Sequence, residues 1–281
     1  MSTHVKWEQA VRWLMNQPDQ RDLVLACYYD EPRLAAAERF RASEEWQATR
    51  FLLPSPRGRA LDMGAGHGIS SYALAMDGWR TTALEPDPSP LVGAEAIRRL
   101  AMDARLAIDV VETVAEEVPF DDAQFDLVYG RQVLHHARDL NRFCRQMYRV
   151  LRPGGALVAT REHVVSSSRQ LDAFRVGHPL HYLYGGESAF RLKEYLEALR
   201  GAGFIIERTI RPFESVVNYA PFTRDTLRAE LQRRLAVFPG GAVVGRLLEA
   251  SLTLSIALKL ISVVDRRPGR LFSFRAIRPQ T

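Results

Sequence analysis

LDMGAGHG, residues Leu61–Gly68, decides the fold. It follows a short apolar run, Arg59–Met63, and opens a stretch that reads as a helix through Met76. A strand, a glycine turn and a helix in that order bring backbone N–H groups close to a ligand. Gly64, Gly66 and Gly68 stand at alternate positions, so the third glycine comes one residue earlier than in the dinucleotide fingerprint G-x-G-x-x-G. Asp62 lies two residues before the first glycine. A carboxylate there suits a cationic amino group and repels a pyrophosphate. Glu85 closes the next apolar run, Arg80–Leu84, 21 residues after Gly64. At that position a carboxylate accepts hydrogen bonds from a ribose diol.

Outward from the turn the chain alternates strands with helices. A helix over Pro90–Ala104 precedes strands at Leu106–Val111 and Phe125–Tyr129. A helix over Asn141–Leu151 stops at Pro153-Gly154-Gly155, before a strand at Ala156–Thr160. Another helix, ended by Gly201 and Gly203, leads into a strand at Phe204–Ile210. This rhythm predicts parallel crossovers and an α/β sheet covered on both faces. Residues 1–52 read as an N-terminal helical cap, with helices at Val5–Met15 and Glu31–Leu52, and residues 53–281 as the main domain. Two stretches exceed a minimal α/β unit, about 161–188 and 211–268, and read as insertions because long structureless loops are uncommon. Leu227, Leu231 and Leu235, four apart, predict a helix over Thr223–Val237. Leu271–Ile277 reads as the last strand.

Composition is ordinary for a globular chain, 47% hydrophobic and 25% charged. The formal charge is +5, yet all but three of the 38 basic residues are scattered arginines with no run beyond two, so no nucleic-acid partner is expected. Cys27 and Cys144 make neither a disulfide framework nor a zinc cluster and read as small buried hydrophobes. MSTHVKWEQA holds no apolar signal region, which suggests a cytoplasmic location. Gly241–Val264 is mostly apolar but carries Arg246, Glu249 and Lys259, so no stable membrane insertion is expected. It reads as a buried helix, with the strand-like alternation of LTLSIALKL as the competing reading and a homodimer contact as one use.

Four segments in order, LDMGAGHG, ALEPD, AEEVPFDDAQFDLVYGRQVLHH and YRVLRPGG, resemble the class I S-adenosylmethionine-dependent methyltransferases. The resemblance is greatest to the branch that includes the ubiquinone and menaquinone biosynthesis enzymes. It covers about residues 46–203, and LFSFRAI is similar to the antiparallel seventh strand of that fold. It implies a doubly wound, Rossmann-like, seven-stranded sheet with an antiparallel last strand. It also implies methyl transfer from S-adenosylmethionine to a small-molecule acceptor. By that resemblance Asp62, Gly64, Ala65 and Gly66 hold the methionine end, and Glu85 takes the ribose. Pro86, Ala115 and Glu116 lie along the adenine, and Gly130 and Arg131 line the methyl-donor pocket. The chain departs from the family at Val114, where an Asp usually accepts from the adenine amine, leaving Glu116 or backbone groups to read the base.

Methyl transfer from a sulfonium is a direct displacement, so the acceptor must be aligned and, where it is a hydroxyl, deprotonated. An oxygen nucleophile is expected. Glu162 and His163 follow the fifth strand at the ligand-binding edge and are the candidate bases. Of His135 and His136, one reads as structural and the other as pocket-lining, with His136 carried as a catalytic candidate. His178 and His181, in the first insertion, could close over the substrate. Tyr28, Tyr29, Tyr182, Tyr184, Phe213, Tyr219 and Phe222 could form an aromatic roof. Asp121, Asp122 and Asp126 read as a solvated turn, and no metal is expected. His67 reads as an exposed spacer, and Met63, Met76 and Leu84 as core. Three alternatives stay open: an NAD-type enzyme, a cofactor-binding subunit without turnover, and a membrane-surface protein.

Overall fold

The computed structural model describes residues 5–280. Four helices form the N-terminal cap: α1 (Trp7–Met15), α2 (Arg21–Ala26), α3 (Arg33–Ala42) and α4 (Glu44–Arg50). Ser43 ends α3 and caps α4, its hydroxyl accepting from the Trp46 N–H at 3.2 Å, so the one helix expected over 31–52 is two. Trp46 is fully buried, and its indole N–H donates to Asp77 at 3.0 Å, which ties the cap to the layer beneath.

The alternating core follows as β1 (Arg59–Met63), α5 (Ile69–Met76), β2 (Arg80–Leu84), α6 (Ala94–Ala104), β3 (Ile108–Val111), β4 (Phe125–Arg131), α7 (Leu140–Val150) and β5 (Leu151–Val165). In α7 the Asp139 carboxylate accepts from the Arg142 N–H at 2.9 Å to start the helix. Leu140, Phe143, Cys144, Met147 and Val150 then fall at helical spacing on its buried face. The remainder is α8 (Ser168–Gly177), α9 (His181–Tyr184), β6 (Phe190–Arg191), α10 (Leu192–Gly201), β7 (Ile205–Ile210), α11 (Val216–Tyr219), α12 (Arg224–Leu235), α13 (Gly241–Leu247), α14 (Ser251–Val264) and β8 (Arg270–Ile277).

The sheet runs β3-β2-β1-β4-β5-β8-β7, with β6 beside the far end of β5. Neighbours are parallel except β8, which is antiparallel to both β5 and β7. The α/β doubly wound sheet and its antiparallel last strand agree with expectation. The strand count does not: there are eight among the described residues. The extra one, β6, is two residues long and was too short to leave a periodic signal. β5 also continues to Val165, so the first insertion begins later than residue 161. Inside β5 the pairing with β8 shifts between Ala159 and Glu162, and Arg161 adopts φ +62°, a bulge that re-aims the strand end.

Three burial expectations fail. Met76, at the last turn of α5, is 41% exposed. Cys27 is half-buried and borders a cavity. Gly241–Val264 is neither one helix nor buried: α13 and α14 meet at 111°, and only one face of α14, through Leu254 and Leu258, packs inward. No helix among the described residues is long and apolar enough to cross a membrane alone.

Candidate functional site

Strand order reverses at β1, with β2 on one side and β4 on the other, which opens a crevice beyond their carboxyl ends. The turn Gly64–Gly68 leaves β1 there, and Arg131–His136 leaves β4 opposite. Between them lies a cavity of about 430 Å³, covered by α1, α2 and the segment around His178–Glu187.

All three glycines of the turn have positive φ, +61° at Gly64, +56° at Gly66 and +91° at Gly68. At Gly64 a Cβ would also stand 2.3 Å from Val133 Cγ2, so this position excludes a side chain on two grounds. Glu85 reaches across from β2: its Oε2 accepts the Gly66 N–H at 2.7 Å and its Oε1 the Asp87 N–H at 3.0 Å. Burial raises its carboxyl to about 7. Asp62 behaves differently from expectation. It is 1% exposed, its Oδ2 accepts from the Ser71 hydroxyl at 2.6 Å, and it does not border the cavity. The acid before the turn therefore fastens β1 to α5, and burial raises it too to about 7.

His67 is no exposed spacer. It is 8% exposed, its ring lies 4.9 Å from that of Tyr29, and burial holds it near 3 and therefore neutral. One ring nitrogen bonds the Tyr28 backbone, while Nε2, facing no protein partner, is left orphaned. The signal missed was Tyr29 in the cap, which folds over the turn and shields it.

On the opposite wall Glu162 is fully buried. Its Oε1 accepts the Val133 N–H at 3.1 Å and its Oε2 the His135 N–H at 3.1 Å, with the His135 ring Nδ1 at 2.8 Å. Burial raises this carboxyl to about 7. Glu162 is not among the residues that border the cavity, and its side chain clamps the turn that carries the histidines. Nor does it form a surface pair with Arg161, which is buried and donates to the carbonyls of Val217 and Ala220.

Four histidines gather at this end. The rings of His135 and His136 lie 4.2 Å apart, tilted at 42°, and His163 lies edge-on to His135 at 4.7 Å. His163 Nδ1 is 2.8 Å from the Gly269 carbonyl, so that nitrogen carries the proton and Nε2 the lone pair. Burial holds His163 near 3. His178 Nε2 is 3.5 Å from Glu187, a buried acid that sequence reading passed over. Burial works to raise the Glu187 carboxyl, but facing His136 and His178 outweighs it and holds it below the usual range. Donor atoms of His135, His136 and Glu187 lie within 4.8 Å of one another, a metal-like trio. Glu187 is already engaged by Tyr184 and His178, which accounts for its burial without an ion.

Of the other expected residues, Ala65, Pro86 and Arg131 border the cavity. Arg131 is not free to meet a ligand charge, since its guanidinium forms a two-pronged pair with buried Glu45 at 2.7 and 3.2 Å. Gly130 packs behind the wall, its Cβ position 2.6 Å from Val133 Cγ1. Ala115 is buried in the core and Glu116 accepts from the Arg138 N–H at 2.9 Å, so neither lines the cavity. Of the aromatic roof, Tyr29 and Tyr184 cover this cavity, joined by Trp7 against Tyr184 at 4.6 Å. Tyr28 lies in the core against Phe40, and Tyr182 is 59% exposed. Phe213, Tyr219 and Phe222 instead line a second cavity, of about 580 Å³, beneath α12 and α14. His163 borders both cavities.

Residues 61–159 match a family model described as a methyltransferase domain. A ubiquinone biosynthesis O-methyltransferase of Methylocella silvestris is 38% identical over 101 residues, 36% of this chain and 38% of the relative. A sarcosine/dimethylglycine N-methyltransferase of Halorhodospira halochloris is 35% identical over 136 residues, 47% of this chain and 46% of the relative. The chain thus aligns with under half the length of these curated relatives. Among solved structures, a [4+2]-cyclase, SpnF, shares the fold at TM-score 0.56 and 22% identity, over 89% of this chain and 83% of that one. The glycine turn answered by Glu85, at the switch point of a sheet whose last strand is antiparallel, lies within the stretch that matches the methyltransferase-domain model.

Proposed function

We propose that the chain transfers a methyl group from S-adenosylmethionine to an oxygen nucleophile on a small, largely apolar acceptor. The observation that carries this is Glu85, a buried carboxylate at the end of β2 hydrogen-bonded to the left-handed glycine turn and bordering the cavity. His67 also borders the cavity, and its buried Nε2, without a partner in the protein, is a lone pair that a donor group of the cofactor could satisfy. When bound, S-adenosylmethionine supplies the electrophilic methyl group. Glu85 would accept from the ribose hydroxyls and His67 from the ammonium, and the Gly64–Gly68 turn would let the backbone approach closely. Trp7, Tyr29 and Tyr184 line the same cavity and give it an aromatic side.

His163 Nε2 is the group placed to take a proton from the acceptor, at the junction of the two cavities. Oxygen rather than amino-acid nitrogen is favoured by charge. A sarcosine-like acceptor brings a carboxylate, and the one cation among the residues bordering the first cavity, Arg131, is spent on Glu45. The second cavity, with Phe213, Tyr219 and Leu231, offers room for an apolar acceptor body. The test is calorimetric titration with S-adenosylmethionine and its demethylated product, followed by turnover on phenols, quinols and N-methylated glycines. Binding with turnover on hydroxyl acceptors supports the reading. Uptake of NAD in place of S-adenosylmethionine, or turnover confined to the glycines, defeats it.

A further inference from the structure

We propose that α12–α14 form a docking surface for an anionic lipid bilayer, lying on it without crossing it. Three independent observations converge on the segment. First, of the 21 large apolar side chains exposed among the described residues, ten fall between Val237 and Val264. They include Val237 at 81%, Phe238 at 67%, Leu252 at 74% and Leu260 at 63%. On α14, Leu252, Ile256, Leu260 and Val263 share the face opposite Leu254 and Leu258, which pack inward. Exposed apolar side chains concentrated in one segment in this way point to an interaction site.

Second, the charge is concentrated there. Residues 224–270 hold nine Arg or Lys against four Asp or Glu, an excess of five, equal to the formal charge of the whole 281-residue chain. The remainder of the protein is neutral. Arg246 and Lys259 stand exposed amid the apolar side chains with no ion pair among the described residues. Apolar side chains that enter the headgroup boundary, rimmed by cations that meet anionic headgroups, characterise helices lying in a membrane interface. The 111° bend between α13 and α14 suits two short segments lying on a surface and not one span. Third, α12 and α14 roof the second cavity, which His163 also borders. A bilayer on the outer face sets a lipid-dissolved acceptor next to that cavity. Docking itself does not depend on the methyl-transfer reading, so the two fail separately.

The test uses the full chain and large vesicles of phosphatidylcholine alone or mixed in equal parts with phosphatidylglycerol, read by co-sedimentation. The protein should sediment with the anionic vesicles and stay in solution with the neutral ones, and the difference should shrink as salt is raised. Arg246→Ser with Lys259→Ser should weaken partition roughly thirtyfold, about fivefold for each cation lost. Leu252→Ser with Leu260→Ser should abolish it while the unfolding temperature stays within about two degrees, because both side chains are already in water. Equal recovery with both vesicle types, or sedimentation untouched by either double variant, overturns the proposal. So does a stable dimer by light scattering that is broken by the leucine variant and ignores vesicles, which would make a second copy the occupant.

Discussion

Replacing Glu162 with Ala gives a stability loss whose size depends on pH in a direction the structure determines. Three donors, the Val133 and His135 N–H groups and the His135 ring, converge on a carboxylate with no solvent access. Leaving buried donors unpaired costs about 1–3 kcal/mol each and not additively, so the gross loss is about 3–6 kcal/mol. Against this stands the burden of keeping the carboxylate charged. Its folded value is raised to about 7 from the ordinary 4.5. The folded state thus holds more protons between pH 4.5 and 7, and the group's contribution shrinks as pH rises through that window. Above pH 7 the burden is about 3 kcal/mol, and near pH 5.5 about 1 kcal/mol. The net loss on Glu162→Ala is therefore about 0–3 kcal/mol at pH 8 and about 2–5 kcal/mol at pH 5.5. Urea unfolding of parent and variant at both pH values, followed by circular dichroism, measures it. A loss that grows with pH would refute the reasoning, since it would mean that the ionised form is the one the fold favours.

Glu85→Gln should weaken S-adenosylmethionine binding about tenfold to a hundredfold by calorimetry, with no loss of unfolding temperature, because the buried charge removed was itself unfavourable. Binding to the native carboxylate should release protons near pH 7, since ribose donors favour the ionised form. Titration in buffers of different ionisation heat reads that release. His163→Ala should lower kcat about a hundredfold and leave cofactor affinity within about twofold. With its folded value held near 3, His163 stays neutral at every working pH, so the parent's kcat should show no histidine limb near pH 6. Gly64→Ala should cost about 1–3 kcal/mol and abolish cofactor binding, since φ +61° and Val133 both reject a side chain there. Unchanged affinity would remove the turn from the site.

The parallel core was legible because most of its strands alternate with helices, β3 passing straight to β4 as the exception, and the glycine turn marked where the sheet would bind. Glu85 could be placed from spacing alone. What sequence could not supply was contact across distance. Asp62 and Glu162 have the residue type and position expected of ligand-facing groups. Whether each turns outward or inward depends on Ser71 in one case and the Val133–His135 backbone in the other. The burial of His67 depends on Tyr29, 38 residues earlier, and Arg131 is neutralised by Glu45, 86 residues earlier. The amphipathic pattern of α13 and α14 was visible as apolar content, but only the bend showed that one face stays outside.

The position of β8 has a consequence for how the protein is made. Its partners are β5 and β7, yet 59 residues intervene between Ile210 and Arg270. Until residue 277 has left the ribosome, those two partners present unpaired backbone to each other and to neighbouring nascent chains. Synthesis therefore passes through a long interval in which one side of β5 and the whole of β7 are a sticky, unfinished edge, and a chaperone that shields extended segments would be most needed there.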